Sequence, residues 1–411
     1  VTFSTAVGGL DAVLAADPDG TLRLDCLPGR TRMFFCGHGA HPEAVRLLED
    51  TLSNPEEDRI GPCRRFWQAF SRRRHDFASM IPEGHPLGAR MQDAIDSVSV
   101  LMKCQQSTSG GVAAGHFYNM AYVRDMSGVL RGFLALGYLP EARAILEFWI
   151  RKHAAFGNLS NAEGMGNDSA RLVFTNDEVE GPAYLVLLVF HYYERTRDLD
   201  LVRRAFPMMA WAFEIQLGHL AAGMTEFSGD ETYIAGGALT GACMYQGSAE
   251  STLLFIESGR RLLQWAEAQA QWDPAKIGRY RQVVADAESR YRHNFVADGR
   301  LLANNPLREQ VAGAPRFRFS FCMAHEPGQP TPPMTWTERR PDGSYVCADC
   351  AGKASRAPAA PAAGVVLNSV SFMPAFVGCS FLSRDEMAGF IEPGVQAFLE
   401  TGRMPSCLSG R

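Results

Sequence analysis

Apolar residues along most of the chain recur with the spacing of one face of an α-helix. From about residue 91 this spacing predicts helices over most of the remaining chain, and its first helix places Ile95, Val98, Leu101 and Met102 on one face. Residues 1–40 differ, because "TLRLDCLPG" and "RTRMFFCGHG" alternate as β-strands do and are joined by a Pro-Gly turn. The pattern therefore predicts a mainly α-helical protein preceded by a few strands.

Turn residues divide the helical region into antiparallel helix pairs. Gly137 is suited to end one helix, and Pro140 to begin the next after a very short turn. A second pair is predicted at 180–220 and a third at 247–295, where Asp273 and Pro274 have the types preferred at a helix start. Because no sequence repeat is visible, we expect a closed toroid of helix pairs rather than a short-period solenoid.

Three regions are expected. Residues 1–40 form the end of a β-domain, with too few strands to complete it, and residues 41–90 form a helical linker. Residues 91–411 form the α/α-toroid, interrupted by an insertion at 304–364 that is rich in Pro, Gly and Ala and is expected to be irregular.

Composition narrows the class of protein. With 411 residues, 46% hydrophobic residues and a formal net charge of −5, the chain is typical of a soluble globular protein. The absence of a basic tract argues against a nucleic-acid partner, and the absence of a run of about 18 apolar residues argues against a membrane span. Ten scattered cysteines favour reduced thiols and the cytoplasm. Export stays open, because the chain begins at Val1 and a leader could precede it.

The insertion contains two pairs of metal-ligand residues about twenty positions apart. Cys322 and His325 form the first pair, and Cys347 and Cys350 form the second. This spacing is typical of a closed tetrahedral zinc site, which would give cohesion to a loop that cannot build a core. The alternatives are a disulfide between the two halves and a chance arrangement. Since four protein ligands fill the coordination shell, we expect a structural zinc ion, and no organic cofactor.

Two adjacent carboxylates, Asp230 and Glu231, lie in the glycine-bounded stretch "MTEFSGDETYIAGG" of residues 224–237. One interpretation is structural, because Ser228 and Glu231 have the spacing of a helix capping box. The other is chemical, because a poorly solvated carboxyl group keeps its proton near neutral pH and can donate it. The local pattern leaves both open.

Several stretches resemble the glucoamylase-like glycoside hydrolases of family 15, whose catalytic domain is an (α/α)6 barrel of six helix hairpins. "YVRDMSGVLRGFLALGYLPEARAILEFW" (Tyr122–Trp149) resembles the helix pair that an aromatic-x-Arg-Asp motif opens. "NDEVEGPAYLVLL" (Asn176–Leu188) is similar to the family's Asp-Gly-Pro-Ala stretch, with Glu180 in the Asp place. "SGDETYIAGG" falls where the family carries its general acid, and Tyr245–Phe255 resembles the helix that follows.

The resemblance implies roles for individual residues. Arg124 and Asp125 would bind hydroxyls of the terminal sugar, and Glu231 would be the proton donor, with Asp230 as its rival. The whole substrate-binding set that it implies is Tyr122, Arg124, Asp125, Glu178 and Glu180. Without the resemblance, Arg124 and Asp125 could be a solvated pair, and Glu178 and Glu180 could be first-turn acids on a helix dipole.

The function implied is hydrolysis of an α-glucosidic or related oligosaccharide bond, with inversion. Tyr122 and Val123 replace the family's Trp before Arg-Asp, and Gly-Asp-Glu replaces Trp-Glu-Glu, so the sugar stays open. The alternatives are a phosphorylase or isomerase on the same toroid, and a non-catalytic zinc-stapled toroid that binds a partner. About eight helices are predicted from residue 91 onward, fewer than six pairs, and no motif marks the late general base. We therefore expect a fragment that lacks part of its barrel, preceded by remnants of the β-sandwich and linker of bacterial members.

The zinc hypothesis predicts about one zinc ion per chain in metal analysis of the purified protein. Cys347→Ser and Cys350→Ser should each lose the metal, because a tetrahedral site tolerates no missing thiolate, whereas Cys63→Ser should retain it. A protein purified without bound zinc that takes up none on titration would contradict the hypothesis.

Overall fold

The computed structural model describes most of the helical part of the chain and several short strands. The residues described are 4–10, 12–16, 22–26, 32–38, 41–54, 60–115, 120–166, 170–172, 179–225, 247–305, 318–319, 337–339, 345–347, 366–403 and 407–409. None of their helices has both the length and the apolar character that crossing a bilayer requires. The chain divides into two compact units, the first formed by residues 1–104, 136–138 and 164–170 and the second by the remainder.

The first unit contains strands followed by helices. Its elements are β1 (Ser4–Leu10), β2 (Ala12–Ala16), β3 (Leu22–Cys26), β4 (Arg32–His38), α1 (His41–Ser53), α2 (Ile60–Arg72), a 3-10 turn (Ala78–Met80) and most of α3 (Gly88–Gln105). The two strands predicted from the alternating pattern are β3 and β4. Each pairs antiparallel with an earlier strand, β3 with β2 and β4 with β1.

Helix α3 forms as expected, but its predicted buried face is only partly correct. Met102 is buried, whereas Val98 and Leu101 are exposed. The buried stripe runs instead through Ser99 and Met102, one turn apart, and the Ser99 hydroxyl donates to the backbone carbonyl of Ile95 at 2.6 Å. Apolar residues occur on several sides of this helix, so their spacing does not single out the buried one.

The second unit is mainly α-helical, as the sequence predicts. Its helices are α4 (Val123–Leu136), α5 (Leu139–Phe156), α6 (Glu180–Thr196), α7 (Leu199–Leu217), α8 (Ala249–Ala268), α9 (Pro274–Phe295), α10 (Asn368–Val377) and α11 (Arg384–Thr401). Helix α6 packs against α8, and α8 packs against α10. Each of these three helices also packs against the one that follows it in the chain: α7, α9 and α11, respectively. We call α4, α6, α8 and α10 the leading helices, because each is the first of its pair.

Local signals fix where several helices begin. The Asp273 carboxylate accepts the Lys276 backbone N–H at 2.8 Å at the start of α9, so the predicted N-cap is confirmed. Ser248 caps α8 by accepting the N–H of Ser251 at 3.0 Å. All residues from 249 to 259 of α8 are buried, so a charged residue in this stretch needs partners inside the protein.

Short antiparallel strands lie between the helices. They are β5 (Ala121–Tyr122), β6 (Ala162–Glu163), β7 (Arg171–Leu172), β8 (Val296–Ala297), β9 (Arg300–Leu301), β10 (Arg318–Phe319), β11 (Thr337–Arg339), β12 (Tyr345–Cys347), β13 (Val366–Leu367) and β14 (Cys407–Ser409). Three-stranded sheets are formed by β5–β6–β7 and by β10–β11–β12. The second sheet lies within residues 304–364, where the sequence predicted only an irregular insertion.

Gly259 allows α8 to approach its neighbours closely. A Cβ atom at this position would lie 2.8 Å from the Phe213 ring on α7 and 2.9 Å from a Val284 methyl group on α9. Gly278 in α9 is the natural comparison, because it is exposed and a Cβ there would meet nothing within 4 Å.

We therefore expect Gly259→Ala to lower the free energy of unfolding by about 1–3 kcal/mol, because the core is overpacked. Gly278→Ala should raise it by up to about 1 kcal/mol through helix propensity. Denaturant unfolding of both variants measures the difference. Equal effects of the two substitutions would contradict the packing described for α8.

Candidate active site

Polar and charged side chains gather at the N-terminal ends of successive leading helices. Arg124 and Asp125 lie in the first turn of α4, Glu180 is the first residue of α6, and Glu250 lies in the first turn of α8. Acidic side chains there are favoured by the partial positive charge of a helix N-terminus. Because α6 packs on α8, and Gly181 of α6 lies next to Val123 of α4, these helix starts are neighbours.

The start of α4 is held by the sheet of β5, β6 and β7. The Val123 backbone N–H donates to the Asn161 carbonyl at 3.1 Å, immediately after β5. Within the sheet the fully buried Glu163 accepts hydrogen bonds from the Ser160 hydroxyl at 2.9 Å and from Arg171 at 3.0 Å. The Glu163 carboxylate thus has its hydrogen-bond donors close by, and we assign it a structural role. It stabilises the sheet that holds the start of α4, where Arg124 lies.

Arg124 and Glu180 form a charged contact between α4 and α6. The Arg124 Nη1 and Glu180 Oε1 atoms are 3.4 Å apart, and the two residues are 56 positions apart in the chain. The Glu180 side chain is 6% exposed, whereas that of Arg124 is 30% exposed. The fold thus places a nearly buried carboxylate next to a guanidinium that solvent reaches.

Tyr184 and Glu250 form a second polar contact, between α6 and α8. The Tyr184 hydroxyl donates to Glu250 Oε1 at 2.9 Å, and both residues are buried. Burial raises the pKa of Tyr184 well above its ordinary value, the negative charges of Glu250 and Glu180 raise it further, and Arg124 lowers it. The phenol is therefore within electrostatic reach of both members of the Arg124–Glu180 contact.

A second arginine of α4 adds positive charge near this cluster. Arg131 lies two turns after Arg124, and its guanidinium stacks over the Phe376 ring of α10 at 3.8 Å from the ring centre. Burial lowers the pKa of Arg131, and the nearby phenol of Tyr184 acts in the opposite direction. Cationic groups from α4 thus approach both α6 and α10.

The stretch that carries Asp230 and Glu231 lies outside the described residues, but the residues on either side of it are described. At one end, Thr225 accepts the Ser248 backbone N–H at 3.0 Å and donates its own N–H to the Thr252 hydroxyl at 2.9 Å. Ser248 is the N-cap of α8 and lies two residues before Glu250. Thr225 and Gly247, the described residues on either side of segment 226–246, therefore both lie at the N-terminal end of α8.

The same end of α8 is approached by the chain that follows α9. Asp298 and Gly299 take left-handed backbone conformations, with φ of 50° and 70°, in the tight turn between β8 and β9. After this hairpin, the Ala303 carbonyl accepts the Ala249 N–H at 3.0 Å. The start of α8 is consequently fixed from two directions.

The remaining predicted residues are placed as follows. Tyr122 in β5 and Asp125 in α4 are half-buried, and Glu178 lies outside the described residues. Of the predicted zinc ligands, Cys347 is the last residue of β12, and Cys322, His325 and Cys350 lie outside the described residues. Within the described parts of the chain, no group of three or more potential metal ligands is found.

Sequence reasoning missed Tyr184 and Glu250. Glu250 resembles any first-turn acid after a serine N-cap, and Tyr184 lies in an apolar run. The available signal was the run Leu253–Ile256, whose four apolar residues lie on all sides of one helical turn, so an acid close to it was expected to be buried and matched. Glu257 obeys the same rule, but Ser380 satisfies it through its N–H at 2.7 Å and its hydroxyl at 2.9 Å, which indicates a structural role.

Comparison with solved structures finds similarity to a bacterial glucoamylase complexed with acarbose, with a TM-score of 0.51 and 11% identity. The match covers 72% of this chain and 41% of the glucoamylase, so the chain spans less than half the length of that protein. At this identity the similarity shows the fold alone, which is glycoside-hydrolase-like.

Two further similarities are weaker. A wild-type glycosidase matches with a TM-score of 0.40 and 15% identity, over 58% of this chain and 64% of its own. An uncharacterized conserved protein from Thermus thermophilus matches with a TM-score of 0.43 and 13% identity, over 77% of this chain and 95% of its own. Both TM-scores lie below 0.5, so neither match supports a conclusion about this chain. No family model matches the sequence, and no curated protein does.

A double-mutant cycle tests the Arg124–Glu180 contact. Arg124→Met should lower the free energy of unfolding by about 1–3 kcal/mol, because a nearly buried carboxylate loses its charged neighbour. Adding Glu180→Gln should recover part of that loss, with a coupling energy of about 1–3 kcal/mol.

The matched control is the exposed pair Arg260–Glu288, which joins α8 to α9 at 2.6 Å. Its coupling should lie between about 0.2 and 1 kcal/mol, because solvent screens it. A coupling at Arg124–Glu180 no larger than that of the control would show that the contact is no stronger than a surface pair.

Proposed function

We propose that this chain belongs to a glycoside hydrolase that cleaves an α-glucosidic or related oligosaccharide bond by general acid/base catalysis. The observation that carries the proposal is the contact between Arg124 and Glu180 at the starts of α4 and α6. It joins two motifs that the resemblance to family 15 identifies independently and that lie far apart in the sequence. The glucoamylase-like fold supports the same conclusion at the level of architecture.

The chemistry of the contact suits a sugar. A guanidinium offers several N–H donors in one plane, and a carboxylate accepts hydrogen bonds from neighbouring hydroxyl groups. Arg124 is partly exposed, so it can donate to a ligand while it stays near Glu180. Asp125 lies next in the same half-buried first turn and would accept from a second hydroxyl of the terminal sugar. Tyr122 and Glu178 complete the proposed binding set.

In this proposal Glu231 donates a proton to the glycosidic oxygen, and Asp230 is the rival for that role. The support is positional, since Thr225, the last described residue before segment 226–246, is hydrogen-bonded to Ser248 and Thr252 at the start of α8. An inverting reaction needs a base about 6.5–9.5 Å from the acid, on the other side of the sugar ring. The zinc ion proposed at Cys322, His325, Cys347 and Cys350 would have a structural role and take no part in this chemistry.

A phosphorylase is the second candidate, and Arg131 favours it. This half-buried guanidinium lies close to the Tyr184 phenol, and together with Arg124 it would suit a phosphate co-substrate. A phosphorylase would cleave the glycan only when inorganic phosphate is present and would release a sugar phosphate, whereas a hydrolase needs no phosphate.

The decisive experiment measures sugar release by the full-length protein from a panel of α-linked oligosaccharides, with and without phosphate. Glu231→Gln should lower turnover by about 10²–10⁴-fold, because the leaving oxygen loses its proton donor, and Asp230→Asn should have a smaller effect. The control is Glu386→Gln on α11, which removes a half-buried partner of Arg292 on α9 and should retain wild-type turnover.

Two results would count against the proposal. A wild-type protein that cleaves no glycan of the panel would exclude it, and so would a Glu231→Gln variant that keeps full turnover on every cleavable one. Turnover that requires phosphate would identify the reaction as phosphorolysis and not hydrolysis.

A further inference from the structure

Tyr184 and Glu250 form a buried polar contact that no motif of the sequence indicates. The donor and acceptor oxygens are 2.9 Å apart, Tyr184 is 3% exposed and Glu250 7% exposed. Removing a carboxylate from water is unfavourable unless hydrogen bonds or charges compensate for it. The contact therefore constrains the spacing of α6 and α8 at their starts.

The contact also lies next to the proposed sugar-binding residues. Tyr184 follows Glu180 by four residues, so both side chains occupy the same face of α6. The charges that act on the Tyr184 phenol are those of Glu250 on α8, Glu180 on α6 and Arg124 on α4. One phenol thus interacts with groups from all three helices.

The direction of the hydrogen bond limits what the phenol can do. A tyrosine hydroxyl has one proton, and here that proton is donated to Glu250, so the phenol oxygen can only accept from its other neighbours. Burial and the surrounding carboxylates raise the pKa of the phenol and keep this proton in place far above neutral pH. The orientation of the phenol beside Arg124 and Glu180 is therefore fixed.

We propose that Tyr184 and Glu250 are positioning residues, which hold Arg124 and Glu180 in the geometry that binds the terminal sugar. This inference rests on the proposed function and adds two residues to its site. Neither side chain is required to touch the sugar; each acts through the Arg124–Glu180 contact.

The chain provides a matched control for this proposal. Tyr280 on α9 donates to Glu214 on α7 at 3.2 Å, and this second tyrosine–glutamate contact joins the second helices of two pairs. Tyr280→Phe removes the same hydroxyl from a partly buried site without changing the starts of α4, α6 and α8. A purely structural role for Tyr184 predicts that the two Tyr→Phe variants behave alike in catalysis.

The test compares Tyr184→Phe, Glu250→Gln and Tyr280→Phe in the full-length protein, with kcat and KM measured separately on a cleaved oligosaccharide. Tyr184→Phe should lower kcat/KM by about 10–100-fold with a fall in kcat, since small displacements of binding groups reduce transition-state stabilisation. Glu250→Gln should move the acid limb of the pH profile to lower pH, because a negative charge leaves a cluster of carboxylates. Tyr280→Phe should change neither kcat/KM nor the pH profile.

Thermal unfolding of each variant shows whether it is folded. If Tyr184→Phe does not fold, Glu250→Gln still tests the inference, because its amide oxygen can accept the hydrogen bond from the phenol. If the wild type is active, two results would overturn this inference while leaving the proposed function in place. One is a kcat/KM of Tyr184→Phe equal to that of Tyr280→Phe, and the other is a Glu250→Gln variant with unchanged kcat and pH profile. A wild type without activity on any glycan would overturn the proposed function, and the positioning role with it.

Discussion

A carboxylate removed from water must find hydrogen-bond donors or a positive charge, and the arrangement of the leading helices follows from this constraint. Glu180 and Glu250 are both buried, and each lies at the start of a helix. The helix dipole stabilises them in part, and Arg124 and Tyr184 supply specific contacts from neighbouring helices. The two polar contacts therefore link three helices at the end where the proposed chemistry occurs.

Four buried acids of the second unit fall into two groups. Glu163 and Glu257 are matched by short hydrogen bonds from serines, with an arginine at Glu163, and neither lies at the start of a leading helix. Glu180 and Glu250 instead lie at the starts of α6 and α8, where each contacts a side chain of the preceding leading helix. This difference in context, more than burial itself, distinguishes a candidate site from structural acids.

How far the sequence determined the fold depended on how local each signal was. The helix pairs were predictable because Gly137, Asp273 and Pro274 act on their own turns, and the glucoamylase-like architecture was expected from the resemblance of several stretches to family 15. The buried face of α3 could not be predicted, because apolar residues occur on several sides of that helix. The strands that pair with β3 and β4 could not be predicted either, since an alternating pattern indicates a strand without indicating its neighbour in the sheet. Tyr184 and Glu250 become recognisable only when α6 and α8 are packed together.

The central claim is that one sugar-sized site lies at the starts of α4, α6 and α8. The most direct test is a crystal structure of the full-length protein with a non-hydrolysable α-glucoside analogue. The account predicts a terminal sugar within hydrogen-bond distance of Arg124 and Asp125, with the Glu231 carboxyl group about 3 Å from the glycosidic position. A sugar bound elsewhere, or Asp125 and Glu231 on different sides of the molecule, would contradict it.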